Sequence, residues 1–249
     1  PSMPNVTYVL PDTLAGASDD RELLALQAGC DLVELGPGGS LPPTLPWLLR
    51  TAATDEHGRD LPRWYDRAWT AAFSAGLAPG ADRAPAAVVI EPGSDRNRSG
   101  DLVRAIAAIH EGLLGRFGTP VPVLVANRAD QALPDGTALA EFWDYLVGHA
   151  PGLVPHAGIA LDAPELYAAT RTRMAGELAL LPPGALRYLR LQTRGKKPDL
   201  GDPLPWRAVF SLVRNAPGSV LIAPAVREPG DLAPALLFCM VNLQGRAFT

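Results

Sequence analysis

Between Ala157 and Ala223 the chain repeats one pattern: AGIALD, a helical run to Leu181, RYLRLQT, a second helical run DPLPWRAVFSLVRNAP, and SVLIAPA. The three apolar runs are short and rich in Val, Ile and Leu, and one helix length separates each from the next. Continuous apolar runs without polar alternation mark strands buried on both faces, and a parallel sheet covered by helices is the arrangement that buries them. The stretch therefore reads as strand, helix, strand, helix, strand. Ligands of parallel α/β proteins gather at the carboxyl ends of strands. The polar residues at the ends of these runs, Asp162 and then Gln192 and Thr193, mark where a site is expected, whereas the third run ends only in Ala223 and Pro224.

Upstream, the same rhythm holds with weaker signals. Val6 to Leu10 reads as a first strand ended by Pro11. RELLALQAG reads as a short helix, with Asp19 and Asp20 at its positive end and Gly29 at its stop. CDLVELG is a second strand carrying Glu34 near its end. The loop from Gly36 to Pro46 is glycine-rich, but no Lys-Ser or Lys-Thr follows it and its spacing fits no dinucleotide fingerprint. PWLLRTAAT reads as a short helix and RWYDRAWTAAFSAG as a helix with one apolar side. No convincing strand is left between the second strand and Ala86, so the third βα unit is expected to be irregular. AAVVIEPG is a strong fourth strand ending at Glu91, followed by the helix LVRAIAAIHEGLLGRF, capped by Asp101 and ended by Gly118. VPVLVAN is a fifth strand ending at Asn127, and Asp135 or Thr137 opens the helix ALAEFWDYLVGHA. The final run, GDLAPALLFCMVNLQG, is a very apolar helix that docks on the sheet; its hydrophobicity also suits the interface of a homodimer.

Seven or eight such units in 249 residues predict a single-domain α/β fold, a (βα)8 TIM barrel with an irregular third unit. A doubly wound open sheet is the alternative, without the glycine-rich first turn of a dinucleotide fold. With 22 basic and 26 acidic residues scattered along the chain, no basic block points to nucleic acid. No apolar run approaches a membrane span and no charged-then-apolar leader opens the chain, so a cytoplasmic protein without membrane contact is expected. Cys30 and Cys239 lie at opposite ends of the chain in apolar settings and read as buried thiols of a reducing compartment.

The segments AGCDLVELG, VVIEPG, IALDAPELYAA, and YLRLQT followed by LPWRAVFSLVRNAPGSVLI resemble the xylose-isomerase-like superfamily of barrels. That group includes sugar-phosphate isomerases and epimerases, relatives of inosose dehydratase and hydroxypyruvate isomerase, and the apurinic endonuclease IV type. The resemblance covers most of residues 6 to 245. It implies a divalent cation held by carboxylate, carboxylate, histidine and carboxylate at the ends of strands five to eight, polarising a carbonyl and hydroxyl while a carboxylate moves a proton. Carried onto this chain, the strand-five carboxylate falls near Ala126 and is absent. The strand-six aspartate is matched by Asp162, but the histidine three residues on is Glu165. The strand-seven histidine is Arg190, the strand-eight glutamate falls on Ala223 or Pro224, and the strand-four histidine is Glu91. Arginine has donors only and cannot ligate a metal.

Three readings follow. In the first, the site runs metal-free isomerase, epimerase or lyase chemistry on a small polar or anionic carbonyl or hydroxy compound. Glu91 or Asp162 transfers the proton and Arg190 holds the substrate. Glu34, Asn127, Gln192, Arg194, Lys196 and Lys197 are the expected substrate-binding residues, and no cofactor or metal ligand is assigned. In the second, the barrel is catalytically silent and binds a ligand or partner. In the third, a metal sits in a shifted site of Glu34, Glu91, Asp162 and Glu165. His110, His149 and His156 read as packing or surface residues, His57 as a loop residue near the mouth, and Trp206 as an anchor for the start of its helix.

Overall fold

The computed structural model describes residues 5–14, 20–51, 61–191 and 198–244. Eight parallel strands close into a barrel in chain order: β1 (Val6–Leu10), β2 (Leu32–Leu35), β3 (Trp47–Arg50), β4 (Ala87–Ile90), β5 (Val123–Ala126), β6 (Ala157–Asp162), β7 (Leu186–Leu191) and β8 (Val220–Pro224). Closure runs through β1 and β8, with Val6 opposite Val220 and Tyr8 opposite Ile222, which removes the open-sheet alternative. Outside lie α1 (Arg21–Ala28), α2 (Arg67–Gly76), α3 (Ser99–Phe117), α4 (Gly136–His149), α5 (Ala163–Thr170), α6 (Met174–Ala179), α7 (Trp206–Arg214) and α8 (Pro229–Leu243). The (βα)8 TIM barrel expected from the rhythm is the fold observed. Among the described residues, no helix is long and apolar enough to cross a membrane.

Alternation along each strand divides the core in two. Leu10, Val33, Leu49, Val88, Val125 and Leu161 belong to the layer between strands and helices. Val9, Leu32, Leu48, Val89, Leu124 and Ala160 fill the barrel interior. Ala87, Ala126, Ala160 and Ala223 are small inward residues, and the wholly buried Tyr188 shares the interior with them. Between β6 and β7 the register slips: Ile159 faces Leu186, while the next residue, Ala160, faces Tyr188. The extra residue, Arg187, puts Tyr188 and Arg190 in step with Ala160 and Asp162 on the inward face.

Several local expectations are corrected. Trp47–Arg50 is a strand, not a helix; a four-residue apolar run is too short for its periodicity to separate the two. The irregularity of the third unit lies one step earlier, where residues 36–46 connect β2 to β3 without a helix. An apolar cavity of about 650 Å³ remains outside the barrel wall, lined by Leu35, Trp47 and Leu49 from the strands and Trp69, Phe73 and Leu77 from α2 and its end. Among the described residues, no titratable side chain lines it.

The helix expected to run to Leu181 is two, α5 and α6, broken by a 3-10 turn at Arg171–Arg173 in which Arg171 has φ +52°. Asp101 is not the N-cap of α3. The helix begins at Ser99, and the Asp101 carboxylate reaches back to the Arg98 N–H at 2.8 Å. Asp135, rather than Thr137, caps α4, accepting from the Ala138 N–H at 2.9 Å. Trp206 is buried at the start of α7 and donates its indole N–H to the Asp199 carbonyl at 2.7 Å.

Candidate active site at the barrel mouth

The carboxyl ends of the strands deliver an interlocked set of charged side chains. β2 contributes Glu34, β3 Arg50, β6 Asp162 and β7 Tyr188 and Arg190. Glu91 follows β4, and Asn127 and Arg128 follow β5. Asp12 follows β1, and Glu165 lies in the first turn of α5. Position two beyond an inward residue makes each of Glu34, Arg50, Glu91, Asp162 and Arg190 point into the mouth.

One half of the network is centred on Arg190. Its Nη1 donates to Glu34, its Nη2 lies 2.9 Å from Asp12 Oδ1, and its Nε lies 4.0 Å from Asp162 Oδ2. The Tyr188 hydroxyl donates to the other oxygen of Glu34. Complete burial pushes the Glu34 carboxyl above the usual range in spite of Arg190, and the charge of Asp12 adds to the rise. Burial also opposes ionisation of Asp12, but its hydrogen bond with Glu34 and the Arg190 charge hold it below the ordinary carboxylate range. Two carboxyls sharing one guanidinium have thus been driven apart, Glu34 upward and Asp12 downward.

The other half is centred on Glu91, which is almost wholly buried. Arg128 grips it with two nitrogens, Nε to Oε2 at 2.6 Å and Nη2 to Oε1 at 2.9 Å, and Arg50 Nη2 reaches Oε1 at 3.2 Å. Burial works against the Arg128 charge, but its bonds to Glu91 and the neighbouring carboxylates raise its pKa above the ordinary value. Arg128 Nη1 extends to Glu165 Oε1 at 3.3 Å.

Asp162 sits between the halves. Its Oδ1 accepts from the Glu165 N–H at 3.3 Å as the cap of α5, while its Oδ2 lies 3.8 Å from Arg50 and 4.0 Å from Arg190, beyond hydrogen-bond distance of either. Asn127 fixes the backbone of Asp162, donating to its carbonyl at 3.1 Å and accepting from its N–H at 2.7 Å. Its amide is thus committed to the protein.

Arg50 is buried, and its Nη1 has no acceptor among the described residues. An unmade hydrogen bond on a buried donor costs about 1–3 kcal/mol, more on a charged group.

Of the residues expected from sequence, Glu34, Glu91, Asn127, Asp162 and Arg190 come together at the mouth. Gln192, Arg194, Lys196, Lys197 and His57 lie outside the described residues. Asp12, Arg50, Arg128 and Tyr188 were missed. Tyr188 shares the alternation of Arg190, and Arg128 directly follows the strand-end Asn127, so both were open to the same reasoning. Arg50 was hidden by reading its strand as a helix. Asp12 carries no local signal beyond following Pro11.

The divalent cation implied by the family resemblance does not fit these donors. Ala126 and Ala223 offer only methyl groups at two of its positions, and Arg190 occupies a third. Among the described residues, no three His, Cys, Asp or Glu side chains are arranged to hold a metal ion. Three of the four carboxylates of a shifted site are parcelled out instead: Glu34 to Arg190 and Tyr188, Glu91 to Arg50 and Arg128, and Glu165 to Arg128 and the Ala129 N–H. Three guanidiniums in the same space would repel a dication.

No family model and no curated protein matches the sequence. Solved structures do match along nearly the whole chain. An AP endonuclease, family 2, from Brucella melitensis aligns at 13% identity over 95% of this chain and 98% of that one, with a TM-score of 0.67. An L-ribulose 3-epimerase aligns at 9% identity over 98% and 95%, with a TM-score of 0.64. A xylose isomerase-like TIM barrel protein from Mycobacterium smegmatis, solved in complex with magnesium, aligns at 8% identity over 97% of each chain, with a TM-score of 0.60. By its fold, the chain is a (βα)8 TIM barrel similar to these structures.

Proposed function

We propose that this barrel catalyses isomerisation or epimerisation, by moving a proton on a carbon next to the carbonyl of a small polar hydroxy compound, without a metal step. The observation that carries the reading is the asymmetry of Asp162: one oxygen is tied to the N-terminus of α5, and the other stands free between two guanidiniums. Of the two carboxylates expected to transfer the proton, Glu91 is the poorer choice, because three guanidinium nitrogens already occupy its oxygens. Asp162 Oδ2 takes the proton; the C–H electron pair moves into the carbonyl to give an enolate, which is reprotonated on the same carbon in epimerisation, or on the former carbonyl carbon in isomerisation, where the neighbouring hydroxyl proton passes to the enolate oxygen as the new carbonyl forms. Arg190 and Arg50 lie where negative charge develops on the enolate oxygen. Neighbouring structures include an L-ribulose 3-epimerase, which agrees with chemistry of this class.

Chelator-treated protein incubated in D2O with a panel of ketoses and hydroxyketones, followed by proton NMR, tests the reading. Solvent deuterium is expected next to the carbonyl of at least one compound, falling by about 100-fold or more in Asp162→Asn. Activity abolished by the chelator, or unchanged in Asp162→Asn, would refute it. The second reading, a silent binding barrel, draws on the saturation of Glu34 and Glu91 by internal donors and requires that no compound exchange.

A further inference from the structure

We infer that Arg50 receives the carbonyl oxygen of the ligand, and that this ligand is an uncharged, sugar-like hydroxyketone rather than a carboxylate or phosphate. The inference rests on the proton-transfer reading of the same mouth and adds the residue and the ligand charge. Arg128 and Arg190 each have both terminal nitrogens on carboxylates: Glu91 and Glu165 for the first, Glu34 and Asp12 for the second. Arg50 differs. Its Nη2 is shared between Glu91 at 3.2 Å and Asp162 at 3.8 Å, and its Nη1 is a buried donor without an acceptor among the described residues. Natural proteins seldom leave a buried polar group unpaired, and a preorganised donor of this kind is what a developing oxyanion requires. The guanidinium that would hold the oxygen is the one beside the free oxygen of Asp162, so the carbon next to the carbonyl falls within reach of the base.

The charge of the ligand follows from the balance at the mouth. Arg21, which donates to the Pro11 and Glu34 carbonyls, adds a fourth guanidinium to Arg50, Arg128 and Arg190. Five carboxyl groups, Asp12, Glu34, Glu91, Asp162 and Glu165, stand against these four guanidiniums, so no positive charge is left over. Among the described residues the mouth is close to neutral, and Arg50 offers a hydrogen bond without surplus positive charge for an anion.

Arginine side-chain NMR of isotope-labelled protein reads the contact directly. The Arg50 guanidinium signal is assigned by its loss in Arg50→Lys, and dihydroxyacetone, D-fructose, pyruvate and inorganic phosphate serve as probes. A saturable shift of the Arg50 signal is expected with a neutral ketone at concentrations at least about 10-fold below those needed for pyruvate or phosphate, and it is expected to persist in Asp162→Asn. Tighter binding of pyruvate or phosphate, no saturable shift with either ketone, or unchanged ketone affinity in folded Arg50→Lys overturns the inference. An Arg50 shift without deuterium exchange in the wild type keeps the binding site and removes the proton-transfer reading. Exchange undiminished in Arg50→Lys keeps that reading and removes the role of Arg50.

Discussion

Replacing Arg190 by methionine tests whether the mouth is held together by charge pairing. The substitution keeps most of the aliphatic volume and removes the cation that serves Glu34, Asp12 and Asp162. Asp12 retains solvent access and can be rehydrated, whereas Glu34 is completely buried. The loss therefore falls mainly on Glu34. Breaking a buried pair by deleting one partner costs about 3–5 kcal/mol, a large part of the 5–15 kcal/mol that typically holds a domain folded.

The deficit has a sign with pH. Without Arg190, the folded-state pKa of Glu34 stands still further above its unfolded value. The stability carried by its protonated form is fully present below the unfolded pKa and is lost as pH rises through the folded one. In equilibrium urea unfolding followed by tryptophan fluorescence, Arg190→Met is expected to lose about 3–5 kcal/mol at pH 7.5 and distinctly less at pH 5. Adding Glu34→Gln, which removes the uncompensated charge and keeps an acceptor for the Tyr188 hydroxyl, should recover most of the loss. A loss below about 1 kcal/mol, or one of equal size at both pH values, would refute the assignment of Glu34 as a buried charge balanced by Arg190.

Two further substitutions or treatments report on the surrounding fold. Gly93 after β4 has φ +74°, and a Cβ there would meet the Pro62 carbonyl oxygen at 2.2 Å, so Gly93→Ala should cost about 3 kcal/mol or more in urea unfolding, and a cost under about 1 kcal/mol would contradict the close approach. Burial pushes the Cys30 thiol up to about 12 and raises the fully buried Cys239 as well; with a thiolate fraction of roughly 10⁻⁴ or less at pH 8, neither should react with iodoacetamide until urea unfolds the chain, and rapid labelling of native protein would count against their burial.

Seven of the eight strands were legible because buried parallel strands write themselves as short apolar runs, and the helix-length spacing between them fixed the architecture. β3 was not legible: WLLR is too short to show a period, and no helix precedes it to mark the rhythm. The break between α5 and α6 was equally silent, because Arg171 adopts positive φ without glycine or proline to announce it. At the site, position at the strand ends picked out Glu34, Glu91 and Asp162, and the family resemblance picked out Arg190. Neither could say how they pair, or that the Asn127 amide is spent on the backbone of Asp162.

The sequence by itself therefore determined seven of the eight strands, most of the helices between them, and which side chains stand at the strand ends. These are local properties, set by side-chain period and residue type. Which charges meet was decided only by closure of the barrel. Arg190 pairs with Asp12 across 178 positions of chain, and Glu91 lies 41 and 37 positions from the two arginines that hold it. A charge is satisfied by whatever opposite charge comes within a few ångströms, and only the register of eight strands and the turn that brings β8 back to β1 fix those distances.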